Sequence, residues 1–212
     1  MIRYLSRNAF PLIAEILFLA GTVWLPNSCL TYIHFLFYAL ILGYFVLRRD
    51  FSLEDWRNAA QDGESFWIPV LVTALSLALC FLVAGILNSR FSTEGSSIFR
   101  TAITSWLEIL LFGITTMLLA PITEELFFRQ SLIAGKNTGT LLLTALISLL
   151  LFALEHGVTP MGILTAVIWG IPFTAAYLRT GNVYIPMTAH LIVNLLGNGL
   201  DLITLINFKL SR

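Results

Sequence analysis

Seven apolar runs, at residues 9–26, 32–47, 67–87, 103–134, 141–156, 162–178 and 183–200, occupy most of this 212-residue chain. A helix that crosses a bilayer needs about 20 mainly apolar residues, within a range of about 17–25. A short eighth run covers 202–210. The polar stretches between them, at 48–65, 88–100, 135–140 and 179–182, are connections, and they leave no room for a sizeable soluble domain. The expected fold is therefore all-α: a polytopic transmembrane helical bundle of seven or eight spans, forming a single integral membrane domain over residues 1–212. Composition agrees. Hydrophobic residues make up 58% and charged residues 11%, against about 25% charged in an ordinary soluble domain. A water-soluble globule and a disordered chain are excluded on that ground. Twelve basic residues balance twelve acidic ones, so no net positive field exists to attract nucleic acid. The expected partners are the lipid bilayer and whatever peptide or protein lies in it.

Gly135-Lys136-Asn137-Thr138-Gly139 and Arg179-Thr180-Gly181-Asn182 read as tight helix–helix turns. Two cysteines, Cys29 and Cys80, are too few for a disulfide framework or a zinc cage. Arg3 and Arg7 precede the first run, but no small-residue cleavage site follows, so that run is expected to be a retained helix rather than a signal peptide. If seven spans alternate, Arg3, Arg7, Arg48, Arg49, Arg57, Lys136 and Arg179 fall on one side and Arg90 and Arg100 on the other. The positive-inside rule then places the N-terminus in the cytoplasm. Compactness and short loops point to a bacterial plasma membrane.

Ionisable residues inside membrane spans are costly and by default indicate function. Glu15, Glu108 and His34 read as structural or interfacial. The segment Pro121-Ile122-Thr123-Glu124-Glu125-Leu126-Phe127-Phe128-Arg129 reads differently. Residues four apart on a helix share a face, so Glu125 can pair with Arg129. Glu124 is turned about 100° from that pair, and a carboxylate held in an apolar cleft is what a general base requires. Pro121 removes a backbone hydrogen bond and bends the helix just before it. Two further elements are Phe152 with His156, and His190 with Asn194, each four apart. At a rise of about 1.5 Å per residue, the two arms of the hairpin around Lys136 bring Glu124 and His156 to similar depth, and His190 lies near mid-bilayer.

These residues, in this order, resemble the CPBP family, also called the CAAX prenyl protease type II or Abi family of intramembrane endopeptidases. The family motif E-E-x-x-x-R matches Glu124, Glu125 and Arg129; F-x-x-x-H matches Phe152 and His156; H-x-x-x-N matches His190 and Asn194. The resemblance covers roughly residues 106–199. Glu155 is a departure, since an apolar or small residue is more usual before the histidine; it would either perturb His156 or face lipid headgroups. The resemblance implies an eight-helix membrane protease that hydrolyses a peptide bond of a membrane-associated protein or peptide. It gives Glu124 the task of activating a water and His156 that of holding the water or the reacting carbonyl. His190 and Asn194 would stabilise the oxyanion, and Glu125, Arg129 and Phe152 would support the site.

No cofactor is expected. The chain has no H-E-x-x-H motif; a zinc site, if the protein used one, would take Glu124, His156 and His190, with water as fourth ligand. Two other functions fit parts of the pattern. A non-catalytic membrane scaffold, of the bacteriocin-immunity or partner-binding kind, would keep the fold without needing the site. A proton-coupled transporter would use the same buried Glu, His and Arg, but the chain lacks the two similar halves such proteins are built from.

Overall fold

The computed structural model describes residues 2–91, 103–157 and 159–211, with side chains from Asn8 onward. Within them the chain is helical, without strands. The helices are α1 (Ile2–Trp24), α2 (Asn27–Leu47), α3 (Leu53–Gln61), α4 (Glu64–Phe91), α5 (Trp106–Ser131), α6 (Thr138–His156), α7 (Pro160–Thr180) and α8 (Tyr184–Leu210). Six of them, α2 and α4 to α8, are long and apolar enough to cross a membrane, and the stretch Asn8–Trp24 of α1 is a shorter apolar helix. The protein is thus a polytopic helical membrane protein, as its apolar runs require. Residues 202–210 do not form a separate eighth span. They continue α8, which runs unbroken for 27 residues, because its one proline, Pro186, lies in the first turn where the missing N–H costs nothing, and Asp201 is exposed on its surface. The added helix is instead α3, inside the polar stretch 48–65. Ser52 caps it, its Oγ accepting from the Asp55 N–H at 3.1 Å, and Glu54 and Asp55 complement the positive end of the helix dipole.

The chain divides into two compact units. The first comprises Met1–Asp50, Phe99–Thr123 and Leu191–Arg212. Here α1 packs on α2, and the Phe18 ring stacks on Phe37 at 4.2 Å and lies 5.1 Å from the His34 ring. His34 and Glu15 are both buried in this unit. Glu108 is a helix cap: its Oε2 accepts from the Ser105 N–H at 2.8 Å and the Thr104 N–H at 2.7 Å, while Ser105 Oγ accepts from the Glu108 N–H. This reciprocal box satisfies the orphan donors that open a helix, and accounts for an acid at the head of an apolar run.

The second unit comprises Phe51–Ile98 and Glu124–His190. The α6–α7 hairpin and the α4–α7 contact form its core. On α4, Phe66, Val70, Leu77 and Ala84 are buried in one stripe, while Leu71, Leu75, Leu79, Leu82 and Ile86 are exposed. A helix apolar all round needs a bilayer to solvate the face that no neighbour covers. Both turns expected from sequence are present. Asn137 caps α6 through the Thr140 N–H, at 2.9 Å, and Gly181 ends α7 in the left-handed region with φ 65°, which favours glycine. Thr159 caps α7, with Pro160 at its first turn, where the missing N–H costs nothing.

Candidate active site

Helix α5 is not uniformly α-helical. It is α-helical over Trp106–Ile114, π-helical over Thr115–Leu119, α-helical over Ala120–Glu124 and π-helical again over Glu125–Ser131. Such π segments are rare and recur at functional sites. The second one begins at the acidic pair. Glu125 and Arg129 are completely buried, with Arg129 Nη1 3.4 Å from Glu125 Oε1. This is the pairing expected from their spacing. The guanidinium also donates through Nη2 to the Gly170 carbonyl at 3.4 Å. Its carbon sits 4.5 Å from the Phe152 ring centre and 5.2 Å from that of Phe173, within cation–π range.

Gly170 makes this possible by lacking a side chain. A Cβ there would collide with Leu149 Cδ1 and meet Phe152 Cδ1 at 3.0 Å. Gly170→Ala is therefore expected to lower stability by about 1–3 kcal/mol through overpacking, measured as the melting temperature in detergent. An unchanged value would mean that α6 and α7 are less tightly apposed.

His190 bridges the two acids. Its Nδ1 lies 2.9 Å from Glu125 Oε1 and its Nε2 4.0 Å from Glu124 Oε2. The carboxylate accepts from Nδ1–H, so in the neutral ring Nε2 keeps its lone pair toward Glu124. The ring stacks on Phe173 at 4.3 Å. Sequence spacing assigned Glu125 to Arg129; the structure shows that it is shared with His190, so the adjacent carboxyls of Glu124 and Glu125 face two nitrogens of one imidazole.

His156 completes the group. Its Nδ1 lies 2.9 Å from the Phe152 carbonyl, which can only accept, so Nδ1 carries the proton. Its Nε2 is 4.0 Å from the same Glu124 Oε2. The His156 side chain is 22% exposed against 5% for Glu124, so the site opens to its surroundings on the His156 side. Phe152 therefore has two tasks: its ring underlies Arg129 and its carbonyl orients His156.

Glu155 is buried, at 1% exposure, rather than placed among headgroups, and it acts electrostatically on both Arg129 and His156. Gly170 and Phe173 belong to no motif, and no sequence period pointed to them. Asn194 lies in the first unit, where its Nδ2 donates to the Thr116 carbonyl at 2.9 Å.

The donors do not fit zinc as placed. Ligand atoms on a tetrahedral ion with bonds of about 2.0–2.1 Å stand roughly 3.3 Å apart, whereas each imidazole Nε2 is 4.0 Å from Glu124 Oε2. Among the described residues no group of three or more His, Cys, Asp or Glu side chains has metal-holding geometry.

No curated protein and no solved structure matches the chain. One family model does, that of the type II CAAX prenyl endopeptidase Rce1-like family, across residues 104–196. That stretch carries all three motifs, from Glu124 through His156 to Asn194, and over it the chain is similar to the Rce1-like family of type II CAAX prenyl endopeptidases.

Proposed function

We propose that the protein is an intramembrane endopeptidase that hydrolyses a peptide bond of a membrane-associated protein or peptide with a water activated by Glu124. The observation that carries this reading is the convergence of two imidazole nitrogens on one carboxylate oxygen, Glu124 Oε2, at 4.0 Å each, inside an apolar bundle. Separations of that length are too long for direct hydrogen bonds and suit a reactant held between the three groups. Glu124 takes a proton from water as its oxygen attacks the scissile carbonyl carbon. The electron pair moves onto the carbonyl oxygen. When the C–N bond breaks, Glu124 returns the proton to the leaving amine. His156 holds the attacking water through Nε2. His190, entering the reaction with a second proton taken from solvent onto Nε2 and keeping it throughout, donates to the oxyanion, and Glu125 stabilises that imidazolium much as the aspartate of a catalytic triad does. Arg129 keeps Glu125 in place. Preorganised donors of this kind typically supply about 2.7–4 kcal/mol each.

The basic connections fit a cytoplasmic N-terminus, and we place the protein in a bacterial plasma membrane with that orientation. The test is a library of membrane-proximal peptides, prenylated CAAX peptides included, incubated with the purified protein in detergent with and without a chelator. Cleavage is expected to survive chelation. Chelator-sensitive cleavage restored by zinc would replace the glutamate–water chemistry with a metal. Complete absence of cleavage, with membrane partners captured equally by wild type and His190→Ala, would favour the scaffold.

A further inference from the structure

Helix α5 places a proline where its own π turn needs a donor. Over Thr115–Leu119 the backbone bonds run from residue i+5 to residue i, and the Ala120 N–H accordingly donates to the Thr115 carbonyl. The same pattern calls on the N–H of residue 121 for the Thr116 carbonyl. Residue 121 is Pro121, which has none. The donor an α-helix would use, the N–H of residue 120, is already engaged with Thr115.

Two carboxamides meet the Thr116 carbonyl instead. Asn194 Nδ2 donates to it at 2.9 Å and Asn198 Nδ2 reaches it at 3.4 Å. His190, Asn194 and Asn198 are successive residues of one i, i+4 stripe on α8, so they point the same way, one turn apart. All three members of the clamp, Thr116, Asn194 and Asn198, lie within the first unit. They sit on the two helices that carry Glu124, two turns beyond Thr116, and His190, one turn before Asn194. In an apolar medium an unbonded carbonyl is costly, so the two amides have a defined task before any substrate arrives.

We propose that Asn194 and Asn198 are positioning residues that replace the backbone donor missing at Pro121, holding the π turn of α5 to α8 and so setting the register of Glu124 against His190. Asn194 then acts through Thr116 and not on the reacting carbonyl, a role different from the oxyanion contact that the resemblance implies. The proposal rests on the glutamate–water reading of the site.

Pro121→Ala tests it, because alanine returns an N–H that the π pattern directs to the Thr116 carbonyl. Asn194→Leu and Asn198→Leu are made in the wild-type and Pro121→Ala backgrounds. Melting temperature, kcat and KM are measured in detergent with the peptide cleaved fastest in the library. In the wild-type background Asn194→Leu is expected to lower kcat by about a hundredfold, the size of effect a small misplacement of catalytic groups produces. KM should change less than about twofold, and the melting temperature should fall. In the Pro121→Ala background the same substitution should lower kcat less than about threefold and leave melting nearly unchanged, because the two sites are coupled through one carbonyl. Asn198→Leu, with the longer bond, should follow the same pattern in smaller measure. If Pro121→Ala rescues melting but not kcat, Asn194 contacts the reacting carbonyl and the proposal is overturned. It is equally overturned if neither is rescued. Failure of the underlying reading looks different: Glu124→Gln would then cleave as fast as wild type, and the melting arm alone would decide the clamp.

Discussion

Glu124→Gln is expected to leave the protein folded and to lower kcat by about 10²–10⁴-fold, the range that removal of a general base produces. Glutamine keeps the shape and one acceptor oxygen of the side chain but cannot take a proton from water. Both imidazoles remain beside position 124, and Glu125 still pairs with Arg129, so the melting temperature should stay near that of wild type. The measurement is single-substrate kinetics on the peptide selected from the library, with Glu124→Asp as a companion. Aspartate retains the carboxylate but withdraws it by one methylene, so it should recover part of the rate and no more. Wild-type turnover by Glu124→Gln would remove Glu124 from the reaction altogether. The prediction is sharp because both imidazole Nε2 atoms are equidistant, at 4.0 Å, from the same oxygen; no other carboxylate is so placed between the two histidines among the described residues.

Arg129→Met should have the largest effect on stability. Arg129 is completely buried, pairs with an equally buried Glu125, donates to the Gly170 carbonyl and lies over the Phe152 and Phe173 rings. Breaking a buried ion pair from one side leaves the other charge uncompensated and costs about 3–5 kcal/mol. Arg129→Lys should not restore the protein, since an ammonium cannot reproduce the flat fork that reaches carboxylate, carbonyl and rings at once. The double variant Glu125→Gln/Arg129→Met should recover part of the stability lost by Arg129→Met, because the orphaned charge is gone, while cleavage stays low because His190 has lost its anionic partner. Thermal unfolding in detergent reads both effects. Melting of Arg129→Met within error of wild type would show that the pair holds nothing together.

Much of the candidate site was legible because bilayer chemistry makes it conspicuous. Glu124, Glu125, Arg129, His156 and His190 stand out in apolar runs where charge is expensive, and the i, i+4 spacing of Glu125 and Arg129 by itself predicts their ion pair. The sharing of Glu125 with His190 was not legible, since those residues are 65 positions apart and their meeting depends on how α8 lies against α5. The π segments were hidden for a related reason. Pro121 announces a disturbed helix, but whether the chain kinks or widens depends on what supplies the lost donor, here Asn194 and Asn198. Gly170 and Phe173 carry no charge and no spacing that would mark them. Helix α3 is short and polar, so no apolar run marks it within the connection; its signal is the Ser52 cap on the Asp55 N–H. Residues 202–210 are not a span of their own, because Asp201 is a charge that α8 carries on its exposed side.

Sequence alone determined the membrane class, the order of the apolar helices, the turns at Gly135–Gly139 and Arg179–Asn182, and which ionisable groups had to justify their burial. Those are properties of a segment and its period, and hydrogen bonding within one helix settles them locally. Only the tertiary structure decided which atoms meet: both imidazoles on Glu124, Glu125 between Arg129 and His190, and the carboxamides on the carbonyl of Thr116. Such contacts depend on the tilt, register and close approach of helices distant in the chain, and these follow from packing across many side chains rather than from the pattern of any one run.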